Sequence, residues 1–178
     1  MSAQLSIAGD EANWQVFSKT PQSGNMMLFR SRTADPAVQA FALENEMARV
    51  RCVLAPGEVA DGGMPRSTKD LDDFEDSLLG ALQAANVDVY LIAAVTGEGN
   101  RDLFFTARDL DDLRAGIKAA ENAPTISLQF APIGDPPAFL KMLTLSVERE
   151  QAAIDAGRVH GVPAGRSGGG LLGKLFGR

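Results

Sequence analysis

The sequence predicts an α+β fold: a ferredoxin-like βαββαβ sandwich with an added N-terminal β-hairpin and a C-terminal helix. Three observations carry this reading. Apolar residues recur with period two, then about 3.6, in the order strand, helix, strand, strand, helix, strand. The two helical stretches repeat each other: Lys69-Asp70-Leu71-Asp72-Asp73-Phe74 matches Arg108-Asp109-Leu110-Asp111-Asp112-Leu113 at an offset of 39 residues. Each copy lies between two strand patterns, so both helices would cover one face of a four-stranded antiparallel sheet. With 178 residues, 45% of them hydrophobic and 22% charged, the chain can bury a core without metals or disulfides.

The elements follow in order. Residues 14–18 and 26–32 are strand-prone and apolar, and Thr20, Pro21, Gln22, Ser23, Gly24 and Asn25 between them supply turn chemistry, which makes a hairpin. Asp35-Pro36 reads as a cap and first-turn proline for a short helix over 37–46. Residues 48–55 alternate, with Ala48, Val50, Cys52 and Leu54 on one side and Arg49 and Arg51 on the other, which makes a strand with one buried face. A Gly- and Pro-rich loop at 56–66 leads into a helix over 68–85. Strands over 87–96 and 102–106 are joined by the turn Gly97-Glu98-Gly99-Asn100-Arg101, which lacks the Lys-Ser/Thr sequel of a phosphate loop. A helix over 109–121, a strand over 125–130 and a helix from Asp135-Pro136 to about residue 156 complete residues 1–157 as one domain.

The net charge of −6 is unevenly distributed. Beyond Gly157 the charged residues are Arg158, Arg166, Lys174 and Arg178, so the flexible, basic, Gly-rich tail over 158–178 carries +4 and residues 1–157 carry −10. A body this acidic repels phosphate, which argues against a nucleic-acid partner. One cysteine, Cys52, and one histidine, His160, exclude a disulfide and the usual thiolate or histidine metal sites. The start of the chain lacks a secretory pattern and no apolar run spans a membrane, so a cytoplasmic protein without a cofactor or bound metal is expected.

The acidic clusters at 70–76 and 109–112 read first as helix-start chemistry, because carboxylates in a first turn satisfy free N–H groups and oppose the helix dipole. Glu75 is different. At about 100° per residue from Leu71 it falls at about 40°, between Leu82 and Leu79, inside the apolar arc. A carboxylate there needs a partner. Arg114 holds the matching angle on the second helix and is the expected partner across the seam; Arg101 is the competitor. The glycines of Asp61-Gly62-Gly63-Met64-Pro65 would let a ligand approach the backbone. Asp61, Gly62, Pro65, Glu75, Asp76, Arg101 and Arg114 are therefore the candidate ligand or partner site. In the tail, Leu171, Leu172, Leu175 and Phe176 could share one face of a helix formed on a partner groove or an anionic membrane surface.

Several landmarks occur in a recognisable order. They are Trp14 in Asn13-Trp14-Gln15-Val16, the 61–65 turn, Leu71 followed by Glu75-Asp76, Thr96-Gly97, Gly99-Asn100-Arg101-Asp102-Leu103-Phe104-Phe105, and Asp135-Pro136. Over about residues 13–145 the chain thereby resembles the bacterial domain of unknown function 695 family. It departs from that pattern at Phe105, where a tyrosine is expected, and at Ala138 and Phe139, where a tryptophan is. The resemblance implies an α+β module and brings no catalytic residues with it.

Without a Gly-x-Ser-x-Gly elbow or other nucleophile–base pair, the chain reads as a non-catalytic protein-interaction or regulatory module. One alternative is a small metal-dependent hydrolase, with Asp61, Glu75 and Asp76 converging on a hard cation through oxygen ligands. Another is a protein tethered to a membrane surface or partner by its tail.

Overall fold

A computed structural model describes residues 7–9, 13–20 and 24–157. Residues 1–6 and 10–12, the centre of the first hairpin's turn, His160 and the tail with Leu171, Leu172, Leu175 and Phe176 lie outside these residues. The fold is α+β, with a six-stranded antiparallel sheet and four helices. The strands are β1 (Gln15–Lys19), β2 (Met27–Ser31), β3 (Glu46–Leu54), β4 (Val89–Gly97), β5 (Asn100–Ala107) and β6 (Ile126–Pro132). The helices are α1 (Pro36–Glu44), α2 (Lys69–Ala85), α3 (Leu110–Ala119) and α4 (Pro136–Asp155).

The sheet order is β1-β2-β4-β5-β3-β6. The N-terminal hairpin is thus part of the sheet, since β2 pairs with β4 from Leu28↔Thr96 to Ser31↔Ala93. Phe17 and Phe29, opposite each other on β1 and β2, stack with ring centroids 5.3 Å apart. The β4–β5 turn is tight, and Glu98 and Gly99 both take positive φ, the backbone that a two-residue hairpin loop of the primed kind requires.

Helices cover both faces of the sheet. On one side α2 and α3 bury Leu71, Phe74, Leu78, Leu82, Leu110 and Leu113 against Val50, Cys52, Leu91, Leu103 and Phe105. On the other, α1 and α4 contribute Val38 and Leu143 to a smaller core with Met47, Ile92 and Ala93. Phe104 and Phe139, two positions at or beside the departures from the family pattern, meet in that smaller core with centroids 5.0 Å apart. A register shift between Leu91 and Ala93 makes Ile92 a bulge. Strict alternation would send Ile92 and Ala93 to opposite faces. The extra residue sends both to the smaller core, while Leu91 and Ala94 serve the larger one.

Helix starts are only half as expected. Asp35, Asp109 and Asp135 are N-caps whose carboxylates accept from Ala37, Asp111 and Ala138 amides at 3.0, 2.8 and 3.0 Å. The first copy of the repeat does not match the second. α2 begins one residue before Asp70, whereas α3 begins one residue after Asp109, and the α2 cap, Thr68, makes no side-chain capping bond. The carboxylates of α2 are drawn to side chains instead. Asp70 accepts from Thr125 Oγ1 at 2.5 Å, Asp72 accepts from Thr68 Oγ1 at 2.8 Å, and Asp73 pairs with Lys69. At the far end Asn86 closes α2 in the left-handed conformation, with φ of 52°.

α2 and α3 approach closely because residue 116 has no side chain. A Cβ on Gly116 would lie 2.5 Å from Leu82 Cδ2, and with Leu82 buried in the core its side chain or the two helices must shift to make room. Gly116→Val is expected to lower stability by about 1–3 kcal/mol, the usual cost of overpacking a core. Urea unfolding checks this through a lower midpoint at unchanged slope.

Candidate functional site

Glu75 sits on the inner face of α2, 6% exposed, above a place where two strands present arginines. Arg30 comes from β2 and Arg101 from the first residues of β5. The pairing sets Arg101 opposite Thr96 on β4, and Thr96 opposite Leu28 on β2, so three neighbouring strands contribute to one spot. Arg30 Nη2 donates to Glu75 Oε1 at 2.5 Å and Arg101 Nη1 to Glu75 Oε2 at 3.1 Å. Arg101 Nη1 also lies 2.9 Å from Asp72 Oδ1, one turn back on α2, and its Nε donates to Thr96 Oγ1 at 3.1 Å. The indole of Trp14 lies against Arg30, 5.3 Å from guanidinium carbon to ring centroid, and donates from Nε1 to Ala8 O at 2.8 Å.

Burial pushes the Glu75 carboxyl up, but the charges and hydrogen bonds of Arg30 and Arg101 outweigh it and hold the group below the ordinary glutamate value. Arg101 is the most enclosed member at 1% exposed, and its Nη2 has no hydrogen-bond partner among the described residues. Burial likewise pushes the Cys52 thiol up to about 12, with the Arg101 charge opposing and Glu75 and Asp102 adding to the rise. Asp76, one residue beyond Glu75 and exposed, is raised by partial burial and then by the Glu75, Asp72 and Asp73 charges around it.

The expected Glu75–Arg114 pair does not form. Arg114 donates to Asp111 Oδ1 at 2.6 Å on its own helix and holds its guanidinium carbon 4.6 Å from the centroid of Phe130 on β6. The wheel angle matches between the copies, but the surfaces beneath differ. α2 overlies arginine-bearing strands, whereas Arg114 finds an aromatic ring. Arg101, the competing partner, takes the position.

The 61–65 turn packs on the β4–β5 hairpin. Gly99 N donates to Gly63 O at 2.7 Å, Val59 and Pro65 form an isolated bridge, and a Cβ on Gly63 would lie 3.0 Å from Glu98 Cα. Gly62, with φ of 91°, turns the chain in open space, and Asp61 is exposed beside it, with no ion pair among the described residues. The glycines thus serve a close backbone approach. Glu75 and Arg101 meet directly, Gly63 anchors the turn to the same hairpin, and Arg114 is elsewhere. Among the described residues no group of three or more His, Cys, Asp or Glu is placed to hold a metal ion. Arg30, Thr96 and Trp14 were not foreseen as members. A charge in the apolar run Met27-Leu28-Phe29-Arg30 is a signal of the same kind as Glu75 in its helical arc.

A second surface was also not foreseen. α4 buries Leu140, Leu143 and Val147, but its outer side carries Met142 and Leu145, each 53% exposed. With Ala138, Lys141, Ser146 and Arg149 they line a shallow groove of about 420 Å³. Neither Lys141 nor Arg149 has an ion-pair partner among the described residues. Ala138, Met142, Leu145 and Arg149 fall within about 60° of one another on the wheel, opposite the buried stripe.

A comparison of the chain with family models, with curated proteins and with solved structures found no match.

Two outcomes follow from this geometry. Glu75→Gln takes the shared carboxylate from between Arg30 and Arg101, leaves Asp72 as the carboxylate beside Arg101 and none bridging to Arg30, and should cost about 3 kcal/mol at neutral pH. Because the folded pKa of Glu75 is depressed, its contribution is present above the unfolded value and is lost as pH falls through the folded one. The stability gap between wild type and variant, from urea curves across pH 7 to 3, should therefore narrow on acidification. Cys52, fully buried and held protonated, should not react with an aromatic disulfide reagent at pH 8 until denaturant unfolds the chain.

Proposed function

We propose that the protein is a non-catalytic interaction module, working in the cytoplasm, that docks a partner protein on the outer face of α4. The observation that carries this reading is the pair Met142 and Leu145, exposed between the cations Lys141 and Arg149, neither of them ion-paired among the described residues, on a body that is otherwise strongly acidic. Large apolar side chains at helical spacing on a solvent face have the form of a helix-groove contact. The flanking charges select the partner: a segment bearing apolar side chains between carboxylates. They also disfavour a second copy of the chain, since a twofold contact centred on this stripe would bring Lys141 and Arg149 towards their own equivalents. A binding role also agrees with the internal ionisable groups. Glu75 is engaged by two arginines and Cys52 is held as a thiol, so both serve the fold.

Two finer readings accompany the proposal. Residues 46–132 form a ferredoxin-like core, supported by two β-α-β units, β3-α2-β4 and β5-α3-β6, and by the order β4-β5-β3-β6 within the sheet. Kinship with the domain of unknown function 695 family is supported by the way its landmarks collect in space. Trp14, the 61–65 turn, Glu75, Thr96 and Arg101 all lie at the corner built on the β4–β5 hairpin.

Site-specific photo-crosslinking in cells tests the docking surface. A benzophenone residue at position 142 should give a discrete adduct that Lys141→Glu/Arg149→Glu abolishes. The same residue at exposed position 121 should give none. The captured protein should contact position 142 through an apolar segment with acidic neighbours. Identical adducts from both positions, or a chain that sediments as a dimer separated by Met142→Glu/Leu145→Glu, would overturn the reading.

A further inference from the structure

The opposite flank of α4 borders a second opening with different chemistry. A cleft of about 440 Å³ lies between α4, the start of β1, the segment after β2, and α1. Val147, Ala152 and Ala34 supply its apolar lining, and among the described residues no lysine or arginine lines it. Its polar side chains have largely spent their donors internally. Gln39 Nε2 donates to Thr33 O, Gln151 Nε2 to Asp155 Oδ1 at 2.8 Å, and Thr144 Oγ1 to Leu140 O at 2.9 Å. Acceptors remain. Glu148 has no ion-pair partner among the described residues. Gln15 lines the same cleft, and its Oε1 is buried without a hydrogen-bond partner among the described residues. A buried acceptor left unmet is unfavourable, so the place is set for a group that brings N–H donors.

The required ligand has methylenes for the apolar lining and several cationic donors for the carboxylates and the glutamine. We propose that this cleft binds an aliphatic polyamine, with one ammonium group donating to Gln15 Oε1, a second held by Glu148 and a third by Asp155. Glu148 and Asp155 are seven residues apart on α4, about 10 Å along the axis, so the anchors are spread as the charges of a polyamine are. The −10 body steers such a cation towards the protein, and the cleft provides the specific contacts.

Isothermal titration of the full chain with spermidine, in 150 mM salt, tests the assignment. Saturable one-to-one binding is expected, stronger than for n-butylamine or magnesium at matched ionic strength. Gln15→Leu and Glu148→Gln should each weaken it about tenfold, as loss of a hydrogen bond to a charged group does. Asp109→Asn removes the same unit of charge at the far α3 cap and should leave the affinity unchanged. Glu148 is exposed on its helix, so Glu148→Gln keeps the test decisive even if Gln15→Leu fails to fold. No saturable binding, or equal weakening by Glu148→Gln and Asp109→Asn, overturns the proposal, because the polyamine is then at most a diffuse counterion.

Discussion

The buried contact of Glu75 with Arg30 and Arg101 is the constraint around which one end of the molecule is arranged. Its members belong to β2, β5 and α2, which are 45 and 26 residues apart along the chain. None can be moved alone. Taking a carboxylate out of water costs several kcal/mol unless good geometry repays it, and here both oxygens are engaged. The contact therefore sets where α2 lies over the sheet and holds the N-terminal hairpin against β4. The Thr96 hydroxyl and the Trp14 ring then complete the surroundings of the two guanidinium groups.

This explains why the acidic start of α2 differs from that of α3 despite their shared residues. In α3 the carboxylate of Asp109 has a free backbone amide within reach and caps it. In α2 an arginine and a threonine hydroxyl are within reach, and Asp72 and Asp70 go to them. A charged donor repays a carboxylate more than a neutral amide does, which accounts for Asp72, while Asp70, the counterpart of Asp109, already lies inside its helix and meets the Thr125 hydroxyl across the packing seam. Duplicated sequence thus carries two different duties, decided by what each copy finds beneath it.

Much of the fold was legible because periodicity reports which side of an element is buried. The alternation in β3, the Leu71, Phe74, Leu78 and Leu82 stripe of α2, and the Asp35-Pro36 and Asp135-Pro136 helix starts all appear where their local chemistry put them. The burial of Glu75 was legible for the same reason. Its partner was only half legible, since Arg101 and Arg114 offer the same charge and only strand order distinguishes them. The place of the hairpin at the β4 edge is a pairing between distant segments, which local patterns do not encode. The outer face of α4 was missed because a helix with apolar residues on two sides does not announce which one faces the sheet.

The bulge at Ile92 is a small irregularity with a large reach. Up to Leu91 the strand counts its faces in one phase, and from Ala93 onward in the other. Thr96, at the end of that second phase, is the residue that steadies Arg101. Deleting Ile92 would join Leu91 to Ala93 in register with Phe105 and Phe104, keep every other side chain of the strand on its face, and take one apolar side chain out of the smaller core. The strand can therefore shorten by one residue at this point without turning over, whereas an insertion or deletion at a paired position on either side would shift the faces of everything beyond it.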